Sequence, residues 1–290
     1  MVILENEVLR VVINPKGAEL ASVYNKRTQI EHIWQADPAI WPWHAPNLFP
    51  VVGECLENKI TIKGIPYKMG RHGFARHSKF IVMEATNSHA EFSLGFCEST
   101  LEVYPYEFQF QVFYDLLDNG VKITYKVINE DEKSIYFSVG GHPAFNVPFH
   151  AAESFEEYYI QFEYPEELKT HLLTADGFFS GETEKLPLQD GKLMLTRQLL
   201  AKGALVFKDL MSKKVMLRSI NRSLYLEVSF PRFPYIALWA KEDAPFICIE
   251  PWFGCADTAG DPKDISEKEG MRELRKGHVF ESDYTISIIN

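Results

Sequence analysis

The chain has 290 residues, 46% of them hydrophobic, and a formal net charge of -10. That length and apolar content fit one large all-β unit with a sizeable core, so residues 1–290 read as a single domain. A net negative surface repels phosphate backbones and anionic lipid, which excludes nucleic acid and membranes as main partners but leaves room for a small anion in a local basic pocket.

From the start of the chain, Met1-Val2-Ile3-Leu4-Glu5-Asn6-Glu7 lacks a basic n-region and meets acid at once, so no signal peptide is expected. No apolar run approaches the roughly 20 residues a spanning helix needs. Cys55, Cys97, Cys248 and Cys255 are scattered, and they fit neither a disulfide framework nor a paired C-x-x-C zinc site. Reduced thiols in a cytoplasmic protein are expected, with Cys248 a small core residue in its apolar run. Trp41-Pro42-Trp43-His44-Ala45-Pro46-Asn47-Leu48-Phe49-Pro50 is too rich in proline for a regular element and reads as an ordered, aromatic loop.

Strand signals come next along the chain. Phe108–Tyr114 and Val121–Val127 flank Asp118-Asn119-Gly120, and Asn-Gly between two such runs predicts a hairpin because both residues tolerate positive φ. Ser134–Val139, Ser223–Val228, Tyr235–Trp239 and Tyr284–Ile288 also read as strands. Ser266 and Glu269 form a capping-box pattern that predicts one short helix ending before Gly277. The fold class is all-β, a large antiparallel β-sandwich with few short helices.

Three segments set ionisable groups among glycines and aromatics: Gly70–His77, Gly140–Asn146 and Ile247–Asp257. If the third is a strand, Phe246, Cys248, Glu250 and Trp252 share one face. A carboxylate in that apolar stripe is either a base with a raised pKa or half of a structural ion pair. Gly140 and Gly141 predict a bulge or a close backbone approach, and Pro143 ends the ladder just past His142. A lone histidine is more often a satisfied core or turn residue, and the double glycine narrows that gap. Arg71, His72, Arg76, His77 and Lys79 make a basic stretch, either a solvated loop or a cradle for sugar hydroxyls or a phosphate. His72 and His77 are five apart and no H-E-x-x-H occurs, so no spacing supports a metal site; the alternative left open is two histidines and one glutamate assembled from distant segments.

Taken together, His72-Gly73-Phe74-Ala75-Arg76, Gly140-Gly141-His142-Pro143-Ala144-Phe145-Asn146 and Cys248-Ile249-Glu250-Pro251-Trp252-Phe253-Gly254-Cys255-Ala256-Asp257, with Glu267–Gly270 after them, resemble the aldose 1-epimerase (galactose mutarotase-like) superfamily in its LacX-like branch. The resemblance spans the chain. It implies a β-supersandwich with the site on a concave face. It implies Glu250 as general base, His142 as general acid, His72 as a second histidine that binds and polarises the sugar, and Arg71 and Arg76 as substrate contacts. The family's sugar-holding aspartate aligns near Leu200–Leu205, where this chain has none; Asp209 is the nearest substitute.

The implied chemistry is anomer exchange of an aldohexose or hexose phosphate, without metal or cofactor. Glu250 takes the O1 proton while His142 protonates the ring oxygen, from opposite sides of the C1–O5 unit, and each positioned transfer contributes about 10²–10⁴ in rate. Trp252 offers an apolar face to sugar C–H groups. The acidic limb of the pH profile is expected from Glu250 and the basic limb from His142. The implied partner is a small sugar or sugar phosphate, and the chain is expected to be a monomer or homodimer. The competing reading is a non-catalytic carbohydrate-binding or sugar-sensing protein on the same scaffold. A glycosidase needs two flanking carboxylates and only one is nominated.

Overall fold

The computed structural model describes residues 1–289. Every pairing between its named strands is antiparallel. A nine-stranded sheet runs in the order Lys192–Met194, Tyr158–Phe162, Lys214–Ser219, Tyr225–Ser229, Val279–Ile289, Gly120–Asn129, Phe108–Leu116, His89–Gly95 and Ile81–Ala85. Its central strands alternate with period two. Val121, Ile123, Tyr125 and Val127 point inward from one, and Tyr284, Ile286 and Ile288 from its neighbour. The second large sheet runs Phe179–Lys185, Lys169–Leu173, Leu205–Phe207, Tyr235–Trp239, Phe246–Phe253, Val139–Gly141 and Asn47–Leu48, with Ala144–Asn146 also paired to Phe246–Phe253.

The two sheets face each other through aromatic contacts. Phe162 meets Phe207 at 6.0 Å and Phe280 meets Phe253 at 5.0 Å between ring centroids. The Tyr125 hydroxyl crosses the interface to donate to Asn47 Oδ1 at 2.7 Å. This is the expected antiparallel sandwich. The helices are as few as expected: Glu98–Leu101 and Arg197–Leu200 have one turn each.

The strand Phe246–Phe253 divides its side chains between the core and the outer face of its sheet. Ile247, Ile249 and Phe253 enter the main core between the sheets. Phe246 and Cys248 point the other way, into a cluster with Trp34 and Ala144 against Trp41 and Trp239, and Trp252 enters a third cluster with Leu48 and Val206. Glu250 lies between Cys248 and Trp252 on that outer face. The loops carrying Trp41 and His72 close over it, so all eight residues of the strand are buried.

Three local expectations change. The hairpin at Asp118–Gly120 forms, with Leu116 opposite Val121, but neither Asn119 nor Gly120 has a positive φ. Glycine is needed there because a Cβ on residue 120 would stand 2.4 Å from the Ile286 carbonyl oxygen of the adjoining strand. The strand expected over Ser134–Val139 is broken at Ser138 into Ile135–Phe137 and Val139–Gly141, which join different sheets. The helix expected from Ser266 is only a 3-10 turn, Ile265–Glu267, capped by Asp264. Lys268 is pulled out of helical geometry to pair with Asp257 at 2.7 Å, and Gly270 at φ +71 packs its backbone against Gly254. Tertiary ties outweigh the local capping signal.

Candidate active site

The glycine pair before His142 is a close approach. A Cβ on Gly140 would stand 2.6 Å from the Trp252 ring, and one on Gly141 2.7 Å from the Tyr284 hydroxyl. The chain therefore lies flat on the neighbouring strand and the inner sheet. His142, just past this pair, is pinned by its backbone N–H donating to the Pro46 carbonyl at 3.1 Å. Its ring lies 5.1 Å from Trp41 and 5.7 Å from Trp239, centroid to centroid. Cross-strand pairing places Ala237 opposite Glu250, so a small side chain leaves the carboxyl room.

His142 Nε2 and Glu250 Oε2 are 3.2 Å apart. The expected arrangement had them on opposite sides of the substrate; the structure has them in contact. Glu250 is 1% exposed and His142 7%. Burial pushes the Glu250 carboxyl well above the ordinary carboxylate range, and the adjacent Trp252 indole opposes this in part. Burial also draws the His142 imidazole down to about 3, with the Arg76 and Arg71 charges adding to it. Each change favours the neutral form, which is what desolvation dictates for an acid and a base alike. At neutral pH the pair therefore rests as a carboxylic acid beside a neutral imidazole.

His72 is built by a different device. Phe49, stacked on Phe110 at 4.5 Å in the core, anchors the loop. Its carbonyl accepts from the N–H groups of Phe74 and Ala75. Gly73, at φ +71, passes so close to Phe49 that a Cβ would stand 2.3 Å from that oxygen. His72 itself has φ +65. Its N–H donates to the Gly53 carbonyl at 3.0 Å, while the Gly53 N–H donates to His72 Nδ1 at 3.1 Å. Burial, then the neighbouring His142, Arg76 and Arg71, push its pKa well down, so the ring is neutral. With Nδ1 accepting, the proton sits on Nε2. His72 is a fixed neutral donor, its ring 5.4 Å from that of His142.

Glu250, His142, His72, Arg71, Arg76 and Trp252 all line one cleft of about 580 Å³. Arg71 pairs with Glu54, and Arg76 lies over the Trp43 ring at 5.3 Å while donating to the Arg71 carbonyl at 3.0 Å. Asp209 does not join them. It is exposed and lines a neighbouring cleft of about 370 Å³ with Lys208, Tyr235 and Glu269. The segment aligned with the family's aspartate does reach the site, where it presents Ala201, Lys202, Gly203 and Ala204. Sequence reasoning missed Trp41, Trp239, Glu54 and Lys202. The Trp-Pro-Trp-His run was the available signal for Trp41; the others depend on closure of distant strands. It also missed that Cys248 lies with His142 and Glu250, the ligand atoms of all three within 4.8 Å of one another.

An antiparallel supersandwich with a carboxylate–histidine pair in its outer cleft defines a mutarotase-like class of protein. The chain belongs to the aldose 1-epimerase family, whose sequence pattern matches residues 1–280. It is 31% identical over 303 residues to the chromosomal LacX protein of Lactococcus lactis subsp. lactis, covering 99% of each chain. A galactose mutarotase-like protein from Lactobacillus casei ATCC 334 superposes with a TM-score of 0.94 at 33% identity over 100% of both chains. A galactose mutarotase related enzyme from Lactobacillus acidophilus gives 0.93 at 33% identity over 99% of this chain and 97% of that one.

Proposed function

We propose that the protein is a cofactor-independent mutarotase that interconverts the anomers of an aldohexose or hexose phosphate. The single observation behind this reading is the buried Glu250–His142 contact at 3.2 Å, opening onto a sugar-sized cleft. Binding alone has no use for a desolvated acid and base in contact, which is costly to the fold unless chemistry uses it.

The active form is the carboxylate–imidazolium arrangement of the singly protonated pair, held by their mutual attraction. O1 and O5 of an aldose are both bonded to C1, so groups in contact serve both atoms. Glu250 takes the O1 proton, His142 gives its proton to O5, and the C1–O5 bond opens. The pair is now a carboxylic acid beside a neutral imidazole. Those are the forms that burial favours, so the two transfers return the pair to its resting protonation state. Rotation about C1–C2 and the reverse transfers close the other anomer. His72 Nε2–H donates to a sugar oxygen without titrating. Trp41, Trp239 and Trp252 supply flat faces for sugar C–H groups, and Arg71, Arg76 and Lys202 suit hydroxyls or a phosphate.

The test is anomer exchange followed by polarimetry or NMR over a panel of α-aldoses, free and 6-phosphorylated. At least one is expected to equilibrate well above the spontaneous rate. Binding of such a sugar with no rate above background makes the protein a carbohydrate-binding relative instead.

A further inference from the structure

The proton transfers leave one group of the site unused. Cys248 lies two residues before Glu250 on the same face of the strand, fully buried and packed with Ala144 and Phe246. Ala144, the first residue of the strand Ala144–Asn146 and two residues after His142, pairs with Cys248, so a small side chain sits at that pairing position. The thiol sulfur, an imidazole nitrogen and a Glu250 carboxylate oxygen all lie within 4.8 Å of one another. His142 Nδ1 and Glu250 Oε2 are buried without a hydrogen-bond partner among the described residues. His142 and Glu250 face the cleft, so the cluster has a protein floor and an open side.

We propose that Cys248, His142 and Glu250 form a three-ligand site for a thiophilic divalent cation, zinc or cadmium, whose fourth position opens to the cleft and whose occupation blocks ring opening. Thiolate, imidazole and carboxylate together match zinc, which takes sulfur at about 2.3 Å and nitrogen at about 2.0 Å, whereas magnesium and calcium require oxygen ligands. The ligand atoms draw inward when the ion binds. Binding displaces the thiol proton and the proton of the pair, with no change of oxidation state. The ion then occupies the lone pairs that Glu250 and His142 use on the sugar. The inhibitory effect rests on the acid–base reading above; the site itself does not.

The two are separated by titrating the reduced full-length protein with cadmium chloride and following the cadmium–thiolate absorption in the ultraviolet. One ion per chain is expected, removed by EDTA. Cys248→Ala abolishes the band, Cys97→Ala at the exposed thiol keeps it, and His142→Asn, with the thiol intact, weakens binding by at least about tenfold. In the anomer-exchange assay zinc chloride slows the wild type, EDTA restores it, and Cys248→Ala keeps the metal-free rate while losing the sensitivity. A band that persists in Cys248→Ala, or no band in the wild type, overturns the site. A wild-type band without zinc inhibition of an active enzyme overturns the blocking role. If no aldose turns over, the acid–base reading falls and the cadmium band still decides the site.

Discussion

At the residue scale the two histidines make a paired test. His142 gives its proton to an oxygen that becomes strongly basic only as the C1–O5 bond breaks. His142→Asn therefore lowers kcat by about 10² or more with KM little changed, because the lost interaction strengthens in the transition state. His72, neutral and held through Gly53, touches the sugar in both states, so His72→Asn raises KM and lowers kcat together. Steady-state kinetics on both variants check this, and a His142→Asn effect on KM alone contradicts it. The pH profile follows from the same pair. Activity needs one proton shared by Glu250 and His142. Below about 3 a second proton goes onto His142 and the base is lost. Above the raised pKa of Glu250 the last proton leaves and the acid is lost. The bell is therefore wider than free residues give, with His142 on the acidic limb and Glu250 on the alkaline one, the reverse of what unperturbed values imply. Limbs at the ordinary values of 4.5 and 6.5 contradict this. These residues stood out in the sequence as lone ionisable groups among glycines and aromatics, and the roles proposed for them came from the family resemblance. Their mutual contact and the inversion of their pKa order come from burial, which no local pattern encodes.

At the scale of elements, strand periodicity was the reliable signal. Tyr235–Trp239 forms with the bounds expected, and Phe246–Phe253 presents Cys248, Glu250 and Trp252 on one face as alternation requires. Signals failed where a long-range contact overrode a local one, as with Lys268 drawn to Asp257 in place of a helix. Of the two readings of Gly140-Gly141, bulge or close approach, the structure has the close approach. Gly141→Ala forces a methyl against the buried Tyr284 hydroxyl, so it is expected to lower stability by about 1–3 kcal/mol. Gly95→Ala, with open space around its Cβ and no positive φ, is expected to stay within about 0.5 kcal/mol. Thermal or urea unfolding of the two variants checks the contrast, and equal stabilities contradict it.

At the scale of the whole molecule, two sheets bury one large core and leave the outer face of the smaller sheet for chemistry. The sandwich class was legible, and six of the seven nominated residues line one cleft. Asp209 lines the other, because a linear offset of a few residues cannot tell which of two clefts a loop faces. No helix among the described residues is long and apolar enough to span a bilayer. Catalysis assigned wholly to side chains predicts that exhaustive chelation leaves the anomer-exchange rate undiminished; loss with EDTA and recovery with one divalent metal contradict that. The most direct measurement compares wild type with Glu250→Gln on the best aldose of the panel. The glutamine keeps the shape and removes the base. A folded Glu250→Gln protein is expected to lose at least about two orders of magnitude in exchange rate above background, and a rate near that of the wild type contradicts the account.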